Sequence, residues 1–373
     1  MPHGTCAARG IGLYSNWRSS ICPHSLPTRL KMALSGTVDK TTLPAMSELK
    51  TRLAPFARAN TRVALRQLIV TLLLYAAGWA AMYFSLQVGY WLTLLLAVPV
   101  AGLLVRIFIF FHDCGHNSFF PSTKLNRRVG FWLGVLVFTP GEQWWRSHAI
   151  HHATSGNLDK RGVGDVTTLT VSEYRQLSPW GRLGYRLFRH PLIMFLLGPI
   201  WMFLISHRLP LPRHGQKETR SVIWANLAIL GLAAGLSLLL GFKEYVLIQL
   251  PVIWLGGMAG IWMFYIQHQF TGVYWARTPQ WNYVASAFQG ASYYRLPRVL
   301  QWFTGNIGFH HIHHLNPLVP NYALDAAYHS DGLLRQSPTL NIRQSLASIP
   351  LALYDEAAGQ MVSFRQARQN AKP

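Results

Sequence analysis

Apolar residues in this chain run in blocks long enough to cross a bilayer, and the stretches between the blocks are polar and basic. A spanning helix needs about 20 mostly apolar residues. Four segments meet that requirement: residues 63–84, 88–111, 222–240 and 246–267. Two shorter apolar stretches, 129–138 and 191–205, predict helices lying at or packed on the membrane interface. Arg66 and Arg106 fall near span ends, where a long side chain can snorkel to the interface. Beyond about Pro320 the pattern becomes that of a soluble tail, with an amphipathic helix predicted over residues 342–364.

The four spans pair into two hairpins. The links inside the pairs, near residues 85–89 and 241–245, are short, and only Lys243 and Glu244 are charged there. The basic stretches 123–128, 182–189 and 208–220 all lie on the other side, so the positive-inside rule places both termini and every long loop in the cytoplasm. The expected fold is an all-α integral membrane protein: four transmembrane helices in two hairpins, with a cytoplasmic helical cap. Its parts are an N-terminal leader over 1–60, a membrane domain over 61–330 and a C-terminal tail over 331–373.

Composition sharpens this picture in two ways. Lys and Arg total 34 against 13 acidic residues. Because the basic residues sit in linkers between apolar blocks, with no nucleic-acid motif beside them, they fit membrane topology and not nucleic acid. The three cysteines, Cys6, Cys22 and Cys114, form no CxxC pair, which disfavours thiolate zinc and iron–sulfur sites. The first 38 residues carry no acid, as in a transit peptide. The plainer expectation is a disordered leader or an early start codon, and a bacterial inner membrane as the location.

The chemistry lies in the histidines. Of 16, nine fall in three five-residue windows: His112-Asp113-Cys114-Gly115-His116, His148-Ala149-Ile150-His151-His152 and His310-His311-Ile312-His313-His314. On a helix, positions i, i+3 and i+4 share a face, so HxxxH offers two imidazoles to one point and HxxHH offers three. Imidazole suits Zn, Cu, Fe and Ni. Eight such ligands, His112, His116, His148, His151, His152, His310, His313 and His314, are too many for one tetrahedral zinc and suit two six-coordinate metals. His311 is out of phase with its neighbours. The second span ends beside His112 and the fourth beside His268, so all three windows lie at one membrane face. His268, in Tyr265-Ile266-Gln267-His268-Gln269-Phe270, is a candidate ninth ligand. His190, His207 and His214 are read as packing or loop residues, and His3, His24 and His329 are given no function. Soluble di-iron proteins use Glu-x-x-His pairs, and none occurs in this chain.

The HxxxH, HxxHH, HxxHH series resembles the membrane fatty-acid desaturases, over roughly residues 63–324. Phe111-His112-Asp113-Cys114-Gly115-His116-Asn117-Ser118-Phe119 is similar to the first box of acyl-lipid omega-6 (delta-12) desaturases of bacterial and plastid type. The third window, followed by Leu315, Pro317 and Pro320-Asn321-Tyr322, is similar to their third box. The resemblance implies two Fe ions as cofactor, O2 as co-substrate, a lipid acyl chain as substrate, and His268 joining the other eight ligands. It also implies an external electron donor, a ferredoxin or a cytochrome b5. No His-Pro-Gly-Gly motif is present, so that donor is expected to be a separate protein.

An acyl chain has no polar handle near its middle, so a shaped apolar tunnel must position it. Trp144, Trp145, Trp262, Tyr265 and Trp275 are candidate lining residues. Of the nearby carboxylates Asp113, Glu142, Asp159 and Asp165, Asp113 is the best placed in sequence to orient an imidazole. Two other functions stay open at this point. One is a hydroxylase or ketolase of carotenoid, alkane or sphingolipid on the same scaffold. The other is a membrane metal transporter, which should hold its ligands near mid-membrane.

Overall fold

The computed structural model describes residues 43–212 and 214–369. Four helices are long and apolar enough to cross a membrane: Thr61–Ser85, Tyr90–Gly115, Gln216–Leu240 and Phe242–His268, called here the first to fourth spans. Each of 25 to 27 residues rises about 38–40 Å, so its ends project beyond a hydrocarbon core of about 30 Å. Asn60 starts the first span by accepting hydrogen bonds from the Arg62 and Val63 amides. Gly241, at φ +100°, makes the sharp turn between the third and fourth.

The second and fourth spans are the more buried pair, and the first and third flank them. Glycine lets the first two spans approach: a Cβ on Gly78 would stand 2.5 Å from Val100 Cγ2. The outer faces carry exposed Leu73, Val98, Leu230 and Leu238, an apolar surface suited to lipid.

Arg106 does not snorkel. Its guanidinium turns inward, bonding Gln67 Oε1 at 2.7 Å, Thr71 Oγ1 at 3.2 Å and the Trp302 carbonyl. It also lies 4.3 Å from the Trp302 ring centroid. Acceptors on the first span and near residue 302 satisfy it more cheaply than a climb to water.

The short apolar stretches behave differently from each other. Residues 129–138 fall mostly within helix Thr123–Leu136. Residues 191–205 belong to a bent pair, Pro179–Phe188 and Ile193–Arg208, meeting at 60°. Pro191 and Pro199 lack amide donors, and the helix between and after them widens into π turns at Ile193–Leu197 and Ile200–Ile205.

Near both ends the described residues depart from the expected local structure. The leader expectation falls largely outside the described residues, but its last part is folded: helix Met46–Leu53 buries Leu49 and Leu53, and Arg52 pairs with Asp331. The single helix expected over 342–364 is not formed. Helix stops at Leu346, and Pro350 is incompatible with its continuation. A hairpin of Leu351–Asp355 and Gln360–Ser363 follows. Its first strand is buried at four consecutive positions, which no amphipathic helix would allow. That strand pairs in parallel with Leu169–Thr170, placing Leu353 opposite Leu169. A second short parallel pair joins Tyr293–Tyr294 to Thr339–Leu340. The fold is therefore mostly helical, not all-α, and the tail is part of the cap.

Candidate metal centre

Each histidine window is fixed by a different local device. The first lies at the end of the second span, where the helix stops at Gly115 and Asn117 turns the chain at φ +57°. The second lies on helix Gly141–Thr154. Trp145 locks that helix to the second span, donating its indole N–H to the Phe111 carbonyl at 3.1 Å. The ring fills space left by three glycines: a Cβ on Gly115, Gly130 or Gly141 would stand 2.2, 2.7 or 3.1 Å from it. The third window forms the short helix His310–Leu315, entered through Phe309, which stacks on Tyr293 with centroids 4.4 Å apart. The Tyr283 hydroxyl donates to the His314 carbonyl at 2.6 Å.

These devices bring nine imidazoles together in two groups. One is His112, His116, His148, His152 and His313; the other is His151, His268, His310 and His314. Within each group the nitrogens lie within 4.8 Å of one another. The groups adjoin: His152 and His314 stack with centroids 4.2 Å apart.

The grouping corrects the expectation that HxxHH presents three rings to one point. His148 and His152 share one group while His151 joins the other; His310 and His314 share one while His313 joins the other. At 3.6 residues per turn, i and i+4 diverge by only about 40°, but i+3 and i+4 diverge by about 100°. The i,i+4 pair therefore stays together and the middle histidine crosses over.

Their spacing fits metal ions. Contacts between Nε2 atoms are 3.0 Å for His112–His313, 3.1 Å for His148–His152, 3.1 Å for His151–His268, 2.9 Å for His268–His310 and 3.1 Å for His310–His314. With metal–nitrogen bonds of about 2.1 Å, two ligands at right angles on one ion are about 3.0 Å apart and opposite ones about 4.2 Å. Burial, and then neighbouring imidazoles, holds His148, His152, His313 and His314 well below the usual histidine range. Neutral rings are the form that binds metal.

Of the four carboxylates near the windows, one touches an imidazole of the cluster. Asp113 Oδ1 lies 2.9 Å from His112 Nδ1. Its Oδ2 accepts from the Asn321 amide at 2.8 Å and from Asn321 Nδ2 at 2.9 Å. Sequence reasoning had no signal for Asn321 beyond its place in Pro320-Asn321-Tyr322. Glu142 pairs instead with Arg127 and Lys217, and Asp159 with Arg277. Asp165 accepts from the Gly162 amide. His268 Nδ1 donates to the Gly290 carbonyl at 2.9 Å. His311 turns away from both groups, its Nε2 2.8 Å from the Leu334 carbonyl.

A cavity of about 380 Å³ opens on His112, His148 and His310 and is otherwise walled largely by apolar side chains such as Leu104, Phe108 and Phe264. Among the five aromatic candidates only Trp144 lines it, stacked on His148 at 4.5 Å. Trp145 is occupied as the lock described above. Tyr265 donates to the Ser348 and Leu351 carbonyls, Trp262 lies over Tyr265, and Trp275 packs near Tyr354. His207 also lines the cavity, through its place on the bent pair.

Comparison with known proteins places the chain in a family. The family model described as fatty acid desaturase matches residues 89–343. A protein named fatty acid desaturase from Bacillus subtilis (strain 168) is 46% identical over 327 residues, 88% of this chain and 93% of the relative. The sn-1 acyl-lipid omega-3 desaturase (ferredoxin) of Synechocystis is 29% identical over 238 residues, 59% of this chain and 62% of its own. An endoplasmic-reticulum omega-3 fatty acid desaturase of Vigna radiata is 26% identical over 249 residues, 61% of each chain. With the family model covering most of the chain and a near-full-length relative at this identity, the protein belongs to the fatty acid desaturase family.

Proposed function

We propose that this enzyme introduces a double bond into a lipid-linked acyl chain, using O2 at a pair of irons held by the nine histidines. The observation that carries this reading is the pairing of five and four imidazoles, all buried but the half-buried His116, beside an apolar cavity. His112, His116, His148, His152 and His313 would hold one iron; His151, His268, His310 and His314 would hold the other. Irons held there supply O2 activation and removal of hydrogen from an unactivated methylene.

The chain's own residues do the rest. Asp113, fixed by Asn321, orients His112 and strengthens it as a ligand. The cavity wall excludes water and holds the acyl chain against the two groups. In balance, one O2 takes two hydrogen atoms from the acyl chain and two electrons with two protons from outside. The products are a carbon–carbon double bond and two waters.

The electrons come from a separate ferredoxin or cytochrome b5 type donor docking on the basic face. Turnover should fall as salt screens that face. The spans cross the bacterial inner membrane with termini and histidines in the cytoplasm, which the basic loops support. The first- and third-box sequences favour omega-6 (delta-12) insertion of a second double bond.

Expression in a host rich in saturated and monounsaturated lipids, with fatty acids read by mass spectrometry, tests this function. Dienes with the new bond at omega-6 are expected from the wild type and none from His151→Ala. A new bond at another position corrects the regiochemistry alone. Oxygenated products would replace desaturation by hydroxylation or ketolation, and metal uptake by vesicles with unchanged lipids would indicate transport.

A further inference from the structure

The cavity at the histidines follows one face of the fourth span. Ile253, Gly256, Gly257, Gly260, Phe264 and Gln267 line it, with Ile261 and Met263 at its edges, all on one side of the helix. From Gln267, beside His268, back to Ile253 the helix rises about 21 Å. One leaflet of hydrocarbon is about 15 Å deep, half of a core of about 30 Å. The lane is thus long enough for a membrane lipid's acyl chain, and it runs inward from the histidines.

Its three glycines are not equivalent. A Cβ on Gly256 would stand 3.2 Å from Leu104 Cδ2, and one on Gly257 would stand 2.9 Å from Pro199 Cβ. Those two glycines let neighbouring elements pack closely. A Cβ on Gly260 would meet nothing within 4 Å. Since Gly260 lines the cavity, the room left by its missing side chain is cavity space. It lies two turns, about 12 Å along the helix, from His268.

We propose that Gly260 sets how far an acyl chain can extend past the histidine groups, and so selects chain length. This rests on the acyl-desaturase reading above. A branched side chain there would cut the lane short. Each methylene displaced from an apolar pocket is worth about tenfold or more in discrimination.

The test uses full-length protein in lipid nanodiscs, as wild type, Gly260→Ala and Gly260→Leu. Gly231→Leu is the control, because a Cβ there also meets nothing within 4 Å but the residue is exposed on the third span. Phospholipids with monounsaturated acyl chains of stepwise increasing length compete for binding in the presence of O2 and reduced ferredoxin, and bound species and products are read by mass spectrometry beside iron per chain. Gly260→Leu should lower the longest-to-shortest ratio by at least about tenfold, with Gly260→Ala between it and the wild type. Gly231→Leu should match the wild type, and iron should be unchanged throughout. An iron-loaded Gly260→Leu with the wild-type length profile overturns the proposal, as does an equal shift in Gly231→Leu. If the leucine variant fails to fold, an iron-loaded Gly260→Ala with no shift overturns it. A wild type that binds chains with a cut-off shortened by Gly260→Leu, yet makes no double bond, supports this role while overturning the desaturation reading.

Discussion

The five-histidine and four-histidine groups sit side by side but are supported differently. In the larger group, His112 leans on the Asp113 carboxylate, and Asn321 holds that carboxylate with its amide and its side chain. In the smaller group, His268 leans on a neutral backbone carbonyl; among the described residues, unpartnered imidazole nitrogens occur in both groups, on His116 and His152 as on His151 and His310. A carboxylate raises the basicity of the imidazole it touches, and a carbonyl does so less. The larger group offers more nitrogens and a stronger donor; the smaller offers four imidazoles and would leave more room on an ion held there. Two ions held there should therefore differ in their surroundings.

The largest predicted effect comes from removing one member of each group. His313→Ala and His314→Ala, adjacent in sequence, fall in different groups. Each should lower desaturation by more than about 100-fold, beyond the loss typical of a supporting residue. Mössbauer spectra should lose a different iron component in each. Loss of the same component from both would break the division into two groups.

Asp113→Asn comes next. It keeps the shape but removes the charge behind His112, and should cost about 10–100-fold in activity or iron affinity. The shift should be confined to the component lost in His313→Ala. Asn321→Ala should act in the same direction but more weakly, near about tenfold. The Asn321 backbone amide still reaches Asp113, so only one of two hydrogen bonds is lost. Iron titration by absorbance would rank the pair, and a larger effect from Asn321→Ala would contradict the geometry.

The smallest effect is expected at His311, which touches neither group. His311→Ala leaves the buried Leu334 carbonyl without its partner and should cost about 1–3 kcal/mol of stability. Thermal denaturation would register the loss while iron per chain stays at the wild-type value. Lost iron would place His311 in the centre.

Much of this arrangement is legible along the chain because a bilayer constrains it. The length of the apolar runs places four spans, and those runs stop beside His112 and His268. His311 stands out of phase in its window, and the structure turns it away. Three features depend on what lies across the fold. Asn321 meets Asp113 from a distant part of the sequence. Arg106 finds its acceptors at Gln67, Thr71 and Trp302, so its depth in a span did not predict its direction. The helix predicted over 342–364 rested on apolar periodicity, whereas Pro350 and the pairing of Leu353 with Leu169 make a strand. The splitting of HxxHH followed from helix angles alone and needed only the second group to be in view.

Iron per chain, read with the Mössbauer spectrum of the purified folded protein, bears most directly on the paired centre. The account predicts two irons per chain in two distinct components of equal area, only one of them altered by Asp113→Asn. A folded chain holding a single iron, zinc, or no transition metal would contradict it.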